Sequence, residues 1–300
     1  MILEREPAAG HLRGRVALVT GAARGLGSGI AKAFARAGVR VCAADVDEGD
    51  MEASFHGTEI PDTHLVKLPL DVADPEMFDD VVRRVVAEWG RLDVLVHAAA
   101  IMPVISLDDT SHEFWWHELH IHLGGLFNGA KAVRDSLRAQ GGGHIISVAS
   151  RAGFFAYPNG AAYCVGKHGL EGFSKSLAIE WAPYNIAVNT MGPGAGKRIK
   201  PTGMTLAQAA QVPEDVRSAW TDPTVLGEGF VWLASQPPGR FTGLCFDAGM
   251  VVDTVAAEGW DFDFAPAKVT PDPGDMESRW EWQEQWEREE RHKQRPGGGR

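Results

Sequence analysis

Cysteine, tyrosine and positive charge are all scarce in this chain. Its three cysteines, Cys42, Cys164 and Cys245, are odd in number, far apart among 300 residues, and free of C-x-x-C spacing. That excludes a disulfide framework and reads as buried thiols in a reducing, cytoplasmic compartment. A formal net charge of −11 argues against nucleic acid or an anionic membrane as partner, since both require a basic surface. No apolar run reaches the roughly 18 residues of a membrane span, and MILEREPAAG lacks the apolar core of a signal peptide. No internal repeat is present, and only three tyrosines occur.

What is there is alternation. Strand-length apolar runs lie at 15–20, 40–45, 65–70, 92–98, 144–149, 186–191 and 243–248. Most are continuous, as parallel strands covered on both faces require. Helical segments are expected at 26–37, 75–89, 111–139, 157–182 and 223–235. Met77, Val81, Val82, Val85 and Trp89, for instance, form one stripe. This order predicts an α/β fold, a doubly wound, Rossmann-type parallel sheet of about seven strands over 12–250. The pattern fades near Gly249. Residues 251–300 are acidic, carry Trp260, Trp280, Trp282 and Trp286, and read as an extension that covers the cleft or a neighbouring subunit.

Between the first strand and the first helix stands VTGAARGLGSG, with Gly21, Arg24, Gly25, Leu26 and Gly27 in the turn. Glycines there let backbone N–H groups and a helix N-terminus approach a pyrophosphate. Asp45 closes the second strand, where a carboxylate accepts hydrogen bonds from a ribose diol and repels a 2′-phosphate. That favours NAD over NADP, with Arg24 as the counter-argument.

AAYCVGKHGLEGF places Tyr163 and Lys167 one helical turn apart. A phenol is a poor base at neutral pH, and an ammonium on the same helix face favours its ionised form. The pair therefore reads as a proton shuttle. Ser150 ends a strand 13 residues earlier, where ligands gather in such sheets.

With Thr20, the glycine turn resembles the T-G-x-x-x-G-x-G fingerprint of the short-chain dehydrogenase/reductase family, and the resemblance extends from about Gly14 to Gly249. It implies an oxidoreductase in which Ser150 binds the substrate oxygen, Tyr163 exchanges the proton, Lys167 also holds the nicotinamide ribose, and NAD carries the hydride between a secondary alcohol and a ketone. Asp71, with Val72, resembles the family's adenine-contacting aspartate, although helix capping is an equal reading. Asn189 and GPG, with Pro193 and Gly194, resemble the segment beside the nicotinamide, and Thr202 matches a threonine that usually follows. The FDAG run at 246–249 resembles the closing D-G-G. Family precedent implies a homotetramer or homodimer.

Two departures stand out. HAAA at 97–100 replaces N-N-A-G, so His97 substitutes for a strand-tying residue, Ala98 and Ala99 face the cofactor, and Ala100 adds a methyl. His122 occupies the position of the catalytic asparagine, whose main-chain carbonyl is thought to hold a relay water; a packed helix histidine is the plainer reading. The His-rich run SHEFWWHELHIH also invites a metal. Ligands would need one helix face, however, and His120 and His122 point apart while His117 and His120 lack a third partner. No metal is expected.

Met102, Pro103, Phe154, Phe155 and Ala195 follow strand ends and are the expected substrate contacts, suiting an apolar or cyclic small molecule. Two alternatives remain: an NADP-dependent carbonyl reductase, and a cofactor-binding sensor with little turnover.

Overall fold

The computed structural model describes residues 12–262 apart from 195, 196 and 198. Seven short strands form its centre: β1 (Val16–Thr20), β2 (Arg40–Asp45), β3 (Leu65–Pro69), β4 (Val94–His97), β5 (Gly143–Val148), β6 (Ile186–Gly192) and β7 (Cys245–Asp247). They form one sheet in the order β3-β2-β1-β4-β5-β6-β7, and every pairing is parallel. All residues of β1 and β4 are buried, which explains why neither run alternates. The order reverses between β1 and β4. Right-handed crossovers therefore send the connecting helices to opposite faces and open a crevice at the carboxyl ends of these two strands.

The helices are α1 (Gly25–Arg36), α2 (Glu48–Phe55), α3 (Pro75–Trp89), α4 (His112–Leu119), α5 (Gly125–Ala139), α6 (Ala161–Trp181), α7 (Leu206–Ala210), α8 (Glu214–Arg217), α9 (Pro223–Ser235) and α10 (Ala248–Glu258). α1 packs on α9, α3 on α5, α4 on α6, and α9 on α10. α3 shows how the sequence sets its own limits. Asp74 accepts from the Glu76 and Met77 N–H groups, Pro75 opens the first turn, and Gly90 ends the helix at φ 74. Phe78, Val81, Val82 and Val85 form its buried face.

Three differences from the sequence expectation have physical causes. The segment 111–139 is not one helix: a π turn, His120–Gly124, separates α4 from α5. That widened turn is where the His122 ring reaches the main chain of Ile101. α6 begins at Ala161 rather than near 157, because Asn159 adopts φ 59 just ahead of it. α2 was not expected, and it buries only Met51 and Phe55, so no apolar stripe marks it.

The body also continues past Gly249. α10 is capped by Asp247, whose side chain accepts from Met250 N–H. Trp232 stacks on Phe262 with centroids 4.6 Å apart, and its Nε1 donates to the Trp260 carbonyl at 2.9 Å. Residues 251–262 of the expected extension therefore belong to the body. Trp280, Trp282, Trp286 and the expected covering role of 263–300 lie outside the described residues, as does Ala195. Among the described residues no helix is long and apolar enough to cross a membrane.

Candidate active site

The glycine turn is shaped by close approach. Gly21 has φ +65, and a Cβ there would lie 2.6 Å from the Ala99 nitrogen. A Cβ on Gly27 would collide with the Gly21 carbonyl, so only glycine lets α1 start this close to β1. Gly25 sits at φ +58 with open space where a side chain would go. The first turn of α1 carries no acidic residue and no side-chain cap, leaving its N–H groups and positive dipole end available to an anion.

Asp45 is held at the tip of β2. Its two carboxylate oxygens accept from Ala23 N–H at 2.9 Å and Asp47 N–H at 3.0 Å. The Arg24 guanidinium is bound by Asp47 at 2.6 Å and Asp50 at 3.0 Å, and the Asp45 charge also acts on it.

Opposite stand Ser150, past the end of β5, and Tyr163 and Lys167 on α6. Ser150 accepts from Ala152 N–H at 3.2 Å and bonds the Tyr163 side chain. Burial raises the Tyr163 pKa from its ordinary value, and the Ser150 hydrogen bond acts in the opposite sense. The ammonium expected to depress the phenol pKa is turned elsewhere: Lys167 Nζ donates to the Val148 carbonyl at 2.8 Å and lies 5.6 Å from the Tyr163 ring centroid. Burial lowers Lys167 to about 8, against the opposing pull of Glu171 and Glu118.

A third layer lies behind this group. The Thr20 hydroxyl oxygen accepts from Ala98 N–H (3.2 Å) and Ala99 N–H (3.3 Å), so its own proton goes to His97 Nδ1 at 3.2 Å. That fixes the tautomer: His97 Nε2–H donates to the His122 carbonyl at 3.1 Å. His122 Nε2 in turn donates to the Ile101 carbonyl at 3.0 Å, and its ring meets Tyr163 edge-on at 5.4 Å. Both imidazoles are held neutral by burial, His97 lowered to about 3 and His122 to about 2. Gly166 makes room for the second ring, since a Cβ there would collide with His122 Nδ1.

One cleft of about 390 Å³ joins these parts. Gly21, Arg24, Gly25, Leu26, Gly27 and Asp45 line one end, Ser150, Tyr163 and Lys167 the other, with Asp71, Val72, Ala98, Ala99, Met102 and Pro193 between. The family model for short chain dehydrogenases matches residues 15–210. The chain belongs to the short-chain dehydrogenase family. Among its relatives are D-threitol dehydrogenase of Mycolicibacterium smegmatis, 37% identical over 61% of this chain and 70% of that protein, and trans-4-hydroxycyclohexanecarboxylate dehydrogenase of Sinomonas cyclohexanicum, 36% identical over 78% and 92%. NAD-dependent glycerol dehydrogenase of Listeria innocua is 30% identical over 81% and 96%. The crystal structure of gox2181 superimposes with a TM-score of 0.68 at 28% identity, covering 82% of this chain and all of that one. Short-chain dehydrogenases are oxidoreductases that bind a nicotinamide cofactor.

Not every expected residue of this short-chain dehydrogenase reaches the cleft. Phe154 and Phe155 are exposed, outside its lining, and the Phe155 ring stacks under Arg151 instead. Pro103 and Gly194 also lie outside it, and Gly194 adopts φ +115 against the Asp247 carboxylate. His122 is fully buried behind the cleft, where its neighbour Ile121 takes the lining position. Asp71 lines the cleft, and its carboxylate accepts from Ala73 N–H in the turn ahead of α3, whose cap is Asp74 rather than Asp71. Sequence reasoning missed Val46, Leu70, Ile101, Val148 and Ile199, apolar residues at strand ends or in the loops after them that carry no motif. Glu118 was missed too, counted among the glutamates of a histidine-rich helix. Among the described residues no three His, Cys, Asp or Glu side chains stand close enough together to hold a metal.

Proposed function

We propose that this short-chain dehydrogenase interconverts a secondary alcohol and a ketone with NAD, using Ser150, Tyr163 and Lys167. The observation that carries the reading is the single cleft linking the glycine turn and Asp45 to these three side chains. A dinucleotide fits the residues present. The turn formed by Gly21, Gly25 and Gly27 packs too closely on surrounding backbone for a Cβ at Gly21 or Gly27, leaves open space at Gly25, and meets an uncapped helix end. Asp45 favours a free ribose diol. At an effective dielectric near 20, a 2′-phosphate about 4 Å away would cost roughly 4 kcal/mol. Arg24 does not offset that cost, because Asp47 and Asp50 already bind it.

A nicotinamide held there would supply the hydride acceptor for alcohol oxidation and the donor for ketone reduction. The chain's own groups do the rest. Ser150 and Tyr163 hydrogen-bond the substrate oxygen, and Tyr163 takes its proton during alcohol oxidation. Lys167, fixed by the Val148 carbonyl, would hold the nicotinamide ribose beside Tyr163. Met102, Ile101 and Ile121 give the substrate end of the cleft an apolar wall, suiting a small cyclic or aliphatic alcohol.

The test follows reduced-nicotinamide absorbance with glycerol, D-threitol and cyclohexanol, each with NAD and with NADP. Turnover should appear with NAD, and Tyr163→Phe should reduce it at least about a hundredfold while leaving NAD affinity intact. Tight NAD binding without turnover of any alcohol or ketone would leave the sensor reading in its place.

A further inference from the structure

Three cations line the cleft among the described residues: Arg24, Lys167 and Lys200. Two of them are engaged. Asp47 and Asp50 hold the Arg24 guanidinium, and Lys167 stands at the far end with its ammonium on the Val148 carbonyl. Lys200 has no ion-pair partner among the described residues; its Nζ donates to the carbonyls of Met204 and Pro201, the latter at 3.4 Å. Lys200 belongs to the loop after β6, yet it borders the glycine turn. A second cavity of about 440 Å³ shares Gly25, Leu26, Ile199 and Lys200 with the cleft, so Ile199 and Lys200 border both hollows beside the start of α1. Asp50 on α2 fixes that placement. Its Oδ2 accepts from Arg24 Nη1 at 3.0 Å and from Leu206 N–H at 3.1 Å. Leu206 opens α7, whose capping box of Thr205 and Gln208 secures the entry of the helix. The loop is thus joined through Asp50 to the arginine of the glycine turn.

The charge of a cofactor makes a demand on this end of the cleft. A dinucleotide carries a negative charge on each of its two phosphates, and the uncapped start of α1 offers only about half an elementary charge. Arg24 adds little, because two carboxylates already hold it, and Asp45 and Asp71 in the same lining oppose an anion. A cation without a carboxylate partner beside Gly25 answers the demand. An ammonium suits a diphosphate as a point charge, with no fixed geometry to satisfy. Resting on the dinucleotide reading above, we propose that Lys200 is a further cofactor-binding residue, a cation held at the glycine turn by Asp50 to bind the diphosphate. Its present partners are neutral carbonyls, so it can take up an anion without leaving a carboxylate unpaired. Burial and the Arg24 charge lower the Lys200 pKa from its ordinary value, and an anion beside both cations acts in the opposite sense. No motif marks Lys200. It lies in AGKRIKP, the stretch that lengthens the gap ahead of Thr202.

Titrations of the full chain with NAD, ADP and adenosine test this without turnover, calorimetry reading the tight ligands and NMR shifts the weak one. Lys200→Met keeps the length of the side chain and removes its charge, whereas Lys200→Arg keeps the charge. Lys200→Met should bind NAD and ADP about tenfold more weakly. It should bind adenosine, which has no phosphate, as the wild type does. Its affinity for NAD should also depend less steeply on salt. Lys200→Arg should retain most of the wild-type affinity for all three ligands. Unchanged NAD and ADP affinity in Lys200→Met would overturn the proposal, as would an equal loss for adenosine. A loss in Lys200→Arg as large as in Lys200→Met would overturn it too, because the role would then lie in shape rather than charge. A wild type that binds neither NAD nor ADP would remove the dinucleotide reading itself, and this proposal with it.

Discussion

His122 and Gly166 show how one residue's size is set by another's absence. The imidazole fills space that a Cβ at 166 would need, while its Nε2 ties the π turn to Ile101. Gly166→Ala should therefore cost about 1–3 kcal/mol of stability by overpacking. In a His122→Asn background the penalty should shrink, and a denaturant double-mutant cycle measures that coupling. Asp45 carries a second residue-scale prediction. Asp45→Asn removes the charge that opposes a 2′-phosphate, so the preference for NAD over NADP in kcat/KM should fall about tenfold or more. Unchanged discrimination would move cofactor choice away from β2. In both cases the motif residue was legible in the sequence, but its partner was not. Nothing in AAYCVGKHGL announces that Gly166 answers to His122, because that contact joins segments 44 residues apart.

At the scale of elements, α1 and α9 approach through glycine. A Cβ on Gly29 would collide with the Pro223 carbonyl, and one on Gly227 would lie 2.8 Å from the Ala33 Cβ. Gly29→Ala should push the helices apart, lower stability by about 1–3 kcal/mol, and weaken NAD binding, because α1 brings its N-terminus to the cleft. Thermal melts and NAD titration of the same variant check both parts. The elements legible in the sequence were those with continuous apolar runs or a clear stripe, such as β1, β4 and α3. What escaped was decided by tertiary hydrogen bonds or by few buried residues. The π turn exists where His122 bonds Ile101, α2 buries two side chains, and α10 continues a chain whose motifs end at FDAG. Phe154 and Phe155, expected as substrate contacts, stand exposed outside the cleft lining, since position after a strand end does not fix which way a side chain leaves the loop.

For the whole molecule, buried ionisable groups govern acid stability. His97, His122 and His144 are held neutral, with pKa values near 3, 2 and 4, by burial. Unfolding lets each bind a proton below about 6.5, so stability should fall as the pH drops, by up to about 1.4 kcal/mol per unit for each group. Glu118 works in the opposite direction. Its folded pKa of about 7 exceeds its ordinary 4.5, so its contribution is full below about 4.5 and is lost as the pH rises through 7. Glu118→Gln should thus steepen the acid loss between pH 7 and 4.5 and make the protein more stable at neutral pH. Urea denaturation at a series of pH values measures the slope. An unchanged slope would mean that Glu118 is not the proton-binding group its burial implies.

The most direct measurement is a crystal structure with NAD bound. The account predicts the adenosine ribose on the Asp45 carboxylate, the pyrophosphate at Gly21, Gly25 and Gly27, and the nicotinamide beside Tyr163 with its ribose on Lys167. A dinucleotide seated elsewhere, or one whose nicotinamide lies away from Ser150 and Tyr163, would contradict it.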